Sequence, residues 1–391
     1  MTFDVHLNAT SGEGDDWVRA VDFRVGSGKW ARMLPAVDNR LAAPTKVPAG
    51  WSPISEVYAR ITLEKLREID GDTGRQAEFI RRNLTPIGGT AGVAILKVLL
   101  PEDQNLDPKD VEYLGHLLPP PNCSLATVPL LYRYRVSEKG RIVEGRAIDD
   151  NDYLPFAKEF IATCTSVGTK TLGLSLPVNI PHSKIPTLVA AYKDVKMPVA
   201  VIDGAGGNLD GMNAQIRALL GSKKVDGHSL RQRCGEDFAL YAFDTKPYRG
   251  RKDIVAAVNL LLVDRGFSAF GRRHTIHMKL PPIPAGSKPA PRPGRIAFPT
   301  ELAYARDSVP EAVAFLKKWW AARGGDPTAF PGAALSARRA FEQEALAGAA
   351  YRLGKWAADG ALKKRLEKRS WIQPDLVQAR RSNALTGADS A

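Results

Sequence analysis

From residue 91 to residue 265 the chain alternates short, continuously apolar runs with longer amphipathic stretches, and this rhythm limits its fold more than any other feature. Ala91–Leu100 (AGVAILKVLL) is an apolar run of strand length closed by Pro101. Val128–Tyr134, Thr171–Val178, Pro198–Asp203 and Phe238–Asp244 read as further strands. Between them, Asp107–Leu118 opens on Asp-Pro, a good helix start. Asp152–Val167, Ser183–Val195 (with Ser183 as its cap), Leu209–Leu220 and Asp253–Arg265 also read as helices. Gly168, Gly221 and Gly266 close three of them. Strands that are apolar on both faces belong to parallel sheets. Strand–helix units of this kind build either an open doubly wound sheet or a (β/α)8 barrel. No G-x-G-x-x-G follows the first clear strand, and the repeating region has the size of one barrel. The expected fold is therefore α/β: a (β/α)8 TIM-barrel-like domain with a helical C-terminal extension.

The flanking segments set the expected boundaries. Trp17–Val25 and Ala31–Val37 read as strands, and Ser55–Ile69 as an amphipathic helix capped by Ser55, its apolar residues spaced three to four apart. Lys279–Arg295 holds six prolines and four basic residues, which excludes a regular element there. Pro310–Arg323 and the Ala/Leu/Arg-rich stretch Ala334–Leu366 read as helices. The chain divides into 1–280 as the barrel with an N-terminal embellishment, 281–298 as a Pro-rich linker or loop, 299–375 as the helical extension and 376–391 as a tail.

Charge adds a partner to this outline. The net charge of +13 is unevenly spread: between Lys246 and Arg295 eleven Lys/Arg face only two Asp/Glu. Such asymmetry points to a polyanion, here nucleic acid (tRNA or DNA). No apolar run approaches the ~20 residues of a membrane span, so no membrane partner is expected. The start lacks the basic and apolar regions of a secretory signal. Cys123, Cys164 and Cys234 lie far apart, with no zinc spacing. A cytoplasmic, reduced protein without disulfides, metal or cofactor is expected.

Parallel α/β folds gather chemistry at the C-terminal ends of their strands. That rule selects Asp203 and Asp244, which end two successive strands. Such a pair can divide acid and base roles between them. Asp38, Asn39, Asn179 and Lys246 also follow strands, and Gly204, Gly206 and Gly207 form the turn after Asp203; these are the candidate substrate-binding residues. The glycines suit either an anion cradle or a tight turn. Tyr248, Arg249, Arg251, Lys252, Arg272, Arg273 and His274 make a basic rim suited to phosphates and a stacked base. Gly26-Ser-Gly-Lys29 is not a P-loop, because Phe23 and Trp30 stand where that pattern needs Gly and Ser/Thr. His274 and His277, three apart on an apparent strand, would face opposite ways and are not expected to share a metal.

The strand ending MLPAVDN, the Asp203–Gly206–Gly207 turn and the strand ending at Asp244 beside basic residues together resemble the tRNA-guanine transglycosylase type of barrel. The resemblance covers about residues 20–275. It implies one aspartate as a nucleophile at the ribose and one for base recognition or proton transfer. That family's cysteine-rich zinc site has no counterpart here, and its Asp-Ser-Gly-Gly is replaced by Asp203-Gly-Ala-Gly-Gly. The expected function is a nucleic-acid-directed barrel enzyme, transglycosylase- or glycosylase-like, acting on a base or nucleotide through Asp203 and Asp244. The alternatives are a barrel enzyme for a small phosphorylated metabolite and a non-catalytic nucleic-acid-binding protein.

Overall fold

A computed structural model describes residues 3–11, 18–25, 31–32, 34–38, 54–86, 91–120, 123–207, 209, 212–220, 229–245, 254–256, 262, 266–271, 274, 295–298, 303–306, 310–322, 324–326, 328 and isolated positions between 352 and 368. The strands in chain order are β1 (Phe3–Ser11), β2 (Val18–Val25), β3 (Ala31–Arg32), β4 (Leu34–Asp38), β5 (Ile54–Thr62), β6 (Ala91–Pro101), β7 (Leu125–Ala126) and β8 (Leu130–Val136). Then come β9 (Ile142–Ala147), β10 (Leu174–Leu176), β11 (Val199–Asp203), β12 (Ala239–Phe243), β13 (Ile254–Ala256), β14 (Phe267–Phe270), β15 (Arg295–Phe298) and β16 (Ala303–Arg306). Helices α1 (Leu63–Ile69), α2 (Thr73–Asn83), α3 (Pro108–Leu117), α4 (Asp150–Ser166), α5 (Ile185–Ala190), α6 (Asn213–Leu220) and α7 (Leu230–Cys234) follow or separate the strands, and α8 (Pro310–Ala321) comes last.

The molecule is a mixed α/β protein built on a parallel sheet. Its order runs β10-β11-β12-β14-β4-β5-β6, every neighbouring pair parallel. β7 and β8 both pair parallel with β6, and β9 adds antiparallel to β8. Just past β7, Thr127 forms a parallel bridge with Gly173, just before β10. Two hydrogen bonds make it: Gly173 N–H to Ala126 O at 2.8 Å and Val128 N–H to Gly173 O at 3.1 Å. The bridge lies outside the named strands, between β7 and β8 on one side and just before β10 on the other.

Period-two alternation sorts the strand side chains into two cores. Val57, Ala59 and Ile61 of β5, Ala94, Leu96 and Val98 of β6, and Ala200 and Ile202 of β11 join the helix side chains Leu66, Leu114, Phe160 and Leu188. The intervening residues Tyr58, Val93, Ile95, Val199 and Val201 face the other way. There they meet Tyr132, Tyr241 and Phe243, together with Phe3, Val5, Val21 and Phe23 from the antiparallel β1–β2 hairpin. This second core positions the candidate site.

Most expected elements are present, and two differ. Ser55–Ile69 is not one helix: Ile54–Thr62 is strand β5, and α1 begins only at Leu63, capped by the Thr62 hydroxyl, which accepts from Lys65 N–H at 3.3 Å. Both faces of β5 are buried from Ser55 to Ala59, so the sheet wins over helical spacing. Asp253–Arg265 is not helical at its start, because Ile254–Ala256 is strand β13, paired antiparallel with β16. Two helix starts also move. A 3-10 turn at His182–Lys184 precedes α5, so Ser183 lies within a turn, and α6 begins at Asn213. Arg295–Phe298 of the Pro-rich stretch forms β15, paired with β16. Residues 281–294 and 376–391 lie outside the described residues, as does most of Ala334–Leu366. Among the described residues no helix is long and apolar enough to cross a membrane.

Candidate functional site

Asp203 is the last residue of β11, and Asp244 is the first residue after β12. The two strands pair in register, with Asp203 opposite Phe243, so Asp244 follows one residue further along the neighbouring strand end, where its charge acts on Asp203. Both are fully buried. Asp244 sits in the left-handed region at φ 47°, which aspartate tolerates better than most residues. The turn after Asp203 packs against it. A Cβ on Gly204 would lie 2.8 Å from Thr245 Cγ2 and 3.1 Å from Asp244 O, so only glycine fits. The N–H groups of Gly204, Gly206 and Gly207 bond to Phe243 O, Asp244 O and Gly204 O at 2.8, 2.6 and 2.7 Å. All three donors are occupied by main-chain carbonyls, two of them at the end of β12.

Lys97 projects into this pair from β6. Its ammonium lies 2.8 Å from Glu144 Oε1 and 3.7 Å from Asp244 Oδ2, with the lysine side chain 0% exposed. It also stands 4.0 Å from the centroid of the Tyr132 ring. The Tyr132 hydroxyl donates to Asp203 Oδ2, and Ala205 N–H donates to Asp203 Oδ1 at 2.9 Å. Burial pushes the Asp203 carboxyl above its ordinary range, against the pull of Lys97 and these two hydrogen bonds, and the charge of Asp244 pushes the same way. Burial raises the Tyr132 phenol as well, helped by the Asp203 charge. Asp203 thus sits with both oxygens accepting hydrogen bonds, near a lysine paired to other carboxylates.

A second cluster lies against the first. Tyr241 OH donates to Glu56 Oε2, and His274 Nε2 lies 2.5 Å from Glu56 Oε1. The main-chain N–H of His274 donates to Asp244 Oδ1 at 2.7 Å. Its ring lies 4.0 Å from the Tyr58 ring and 5.3 Å from the Phe243 ring, centroid to centroid. Gly271 makes room for this cluster, since a Cβ there would overlap Glu56 Oε2 and approach Tyr241 OH to 2.9 Å. Among the described residues, four carboxylates (Glu56, Glu144, Asp203 and Asp244) thus converge with Lys97 and His274.

Beside the cluster is a cavity of about 290 Å³, lined by Tyr132, Glu144, Arg146, Asp149, Asn179 and Ala205 among others. Asn179, three residues past β10, is held by its side-chain amide, which donates to Ile148 O at 2.6 Å and Ala147 O at 3.3 Å. Of the residues selected from sequence, Asp203, Asp244, the three glycines and Asn179 therefore come together here. His274 lies within the carboxylate cluster rather than on an open rim, its side chain 4% exposed. Asp38 ends β4, opposite Glu56 in the parallel register. Asn39, Lys246, Tyr248, Arg249, Arg251, Lys252, Arg272 and Arg273 lie outside the described residues.

Sequence reasoning missed Lys97, Glu56, Glu144, Tyr132 and Tyr241. Lys97 carried a signal: it is the one charge in the AGVAILKVLL run, on the face shared by Val93 and Ile95. Glu56 was hidden by the helical reading of its strand. Glu144 comes from β9, an exposed strand with no apolar run to announce it.

No protein-family model matches the chain, and comparison with curated proteins gives no match.

Proposed function

We propose that the chain is a (β/α)8 barrel enzyme that cleaves or exchanges a glycosidic bond to a base or nucleotide, with Asp203 and Asp244 handling the proton and the charge. The barrel reading is supported by the parallel bridge between Thr127 and Gly173, which links β7 to β10 and would close the ring of parallel strands. A helical extension beyond the barrel is supported by α8.

The observation that carries the functional reading is the convergence of Asp203 and Asp244 at adjacent strand ends, with Lys97 and Tyr132, beside a cavity. Cleavage of a glycosidic bond develops positive charge on the sugar. A cluster with more carboxylates than cations stabilises that charge and disfavours an oxyanion. The cavity stands at the lower end of the ~300–1,000 Å³ common for small-molecule sites, which suits one base or sugar unit. Nucleic acid as the larger substrate is supported by the basic excess between Lys246 and Arg295.

The test is incubation of the full chain with tRNA, with DNA and with free nucleotides, followed by mass analysis of released or exchanged bases. Release from wild type that disappears in D203N and D244N supports the reading, and equal release from all three proteins overturns it. The cavity's size also favours a small phosphorylated metabolite as the substrate. A polynucleotide substrate would lose affinity steeply with salt, whereas a single phosphate would give a shallow slope.

A further inference from the structure

Asp203 does not line the cavity. Both of its oxygens are taken by residues that do: Oδ2 by the Tyr132 hydroxyl and Oδ1 by the Ala205 N–H. The carboxylate therefore lies behind Tyr132 and Ala205, two residues of the cavity wall. From this geometry we propose that Tyr132 is the nucleophile of the site and Asp203 its base; this rests on the glycosidic reading above. The arrangement has the three parts that an activated nucleophile needs. Tyr132 is the attacking group, Asp203 accepts its proton, and the Ala205 N–H fixes the orientation of Asp203. Lys97, 4.0 Å from the ring centroid, supplies positive charge to the phenolate as it forms.

In the first step the Tyr132 oxygen bonds to the anomeric carbon as the bond to the leaving group breaks. The phenolic proton passes to Asp203 Oδ2. The leaving group departs with the bonding pair and takes a proton from water. In the second step water attacks the same carbon, the Tyr132 C–O bond breaks, Asp203 returns its proton to the phenolic oxygen, and the proton of the attacking water goes to solvent. The buried phenol is neutral at rest and loses its proton only as the new bond forms.

The experiment uses the full chain and a dinitrophenyl fluororibofuranoside, whose leaving group needs no acid and whose fluorine slows breakdown of a glycosyl adduct. Released dinitrophenolate is followed by absorbance, and the protein is digested and its fragments weighed. The expected result is a burst of dinitrophenolate and a fluororibosyl mass on the fragment containing Tyr132. An adduct on Asp203, Asp244 or Glu144 overturns the role of Tyr132 while leaving the glycosidic reading standing. Steady release with no adduct does the same. Neither release nor adduct overturns both. Y132F should lower release by ~10³-fold or more. Release within a few-fold of wild type would overturn the proposal. Should Y132F fail to fold, the adduct on wild type still decides the matter, because a merely structural tyrosine would carry none.

Discussion

Lys97 lies 2.8 Å from Glu144, and the lysine is wholly enclosed while the glutamate is 12% exposed. A buried lysine is stable as a cation only where carboxylates meet it, and here Asp244 completes the set at 3.7 Å. The pair ties β6 to β9, and through Asp244 to the strand ends where the candidate chemistry sits.

Removing that cation should be felt in stability before anything else. K97M leaves Glu144 and Asp244 without their buried partner, and a loss of ~3–5 kcal/mol is expected. Denaturant melts of K97M, E144Q and the double variant would measure the coupling. A double variant as unstable as the two single losses added together would show that the ion pair is not the source.

Asp203 makes stability depend on pH in a defined direction. Its carboxyl is held above the ordinary value of 3.8, so the folded chain binds this proton more tightly than the unfolded chain. The stabilisation is fully present below the unfolded value and is lost as pH rises through the folded one. D203N has no such titration. Wild type should lose stability relative to D203N as pH climbs from about 4. Parallel curves for the two proteins would contradict this.

On activity, D203N and D244N should each lower turnover by ~10²–10⁴-fold, the usual range for a lost acid or base. Asn keeps the backbone at 244, since it also tolerates φ 47°. D244A should be less stable than D244N by ~1 kcal/mol, the usual cost of holding an ordinary residue there. Equal melting of D244A and D244N would place no strain at this turn.

Gly271 offers a test of the second cluster. In G271A the new methyl would displace Glu56 from Tyr241, and overpacking of this kind destabilises by ~1–3 kcal/mol. The variant should melt earlier, and the tyrosine absorbance of the Glu56–Tyr241 contact should change with it. A wild-type melting curve would mean that the cluster relaxes around the methyl.

The parallel sheet was legible because apolar runs buried on both faces leave little else to build. Asp203 and Asp244 were legible because strand ends are where such a sheet collects polar groups. Ser55–Ile69 misled because Val57 and Ile61 are four apart, a spacing that satisfies both a helix and every second position of a strand. With that strand misread, Glu56 had no place near the site. Tyr132 and Tyr241 were silent for another reason: tyrosine within an apolar run looks like core until its hydroxyl partner, distant in sequence, is known.

The β1–β2 hairpin has a consequence for how the chain acquires its shape. Phe3, Val5, Val21 and Phe23 share a core with Val199, Ala239 and Ala269, and Leu7 N–H bonds to Asp237 Oδ1 at 2.9 Å, 230 positions along. A growing chain therefore carries these apolar side chains with only part of their eventual core until some two hundred further residues have been added. Docking of the hairpin is a late event that local structure cannot hasten, because closing so long a loop costs entropy before any contact returns it. Hydrogen-exchange labelling during refolding should find residues 3–7 protected only after β11 and β12.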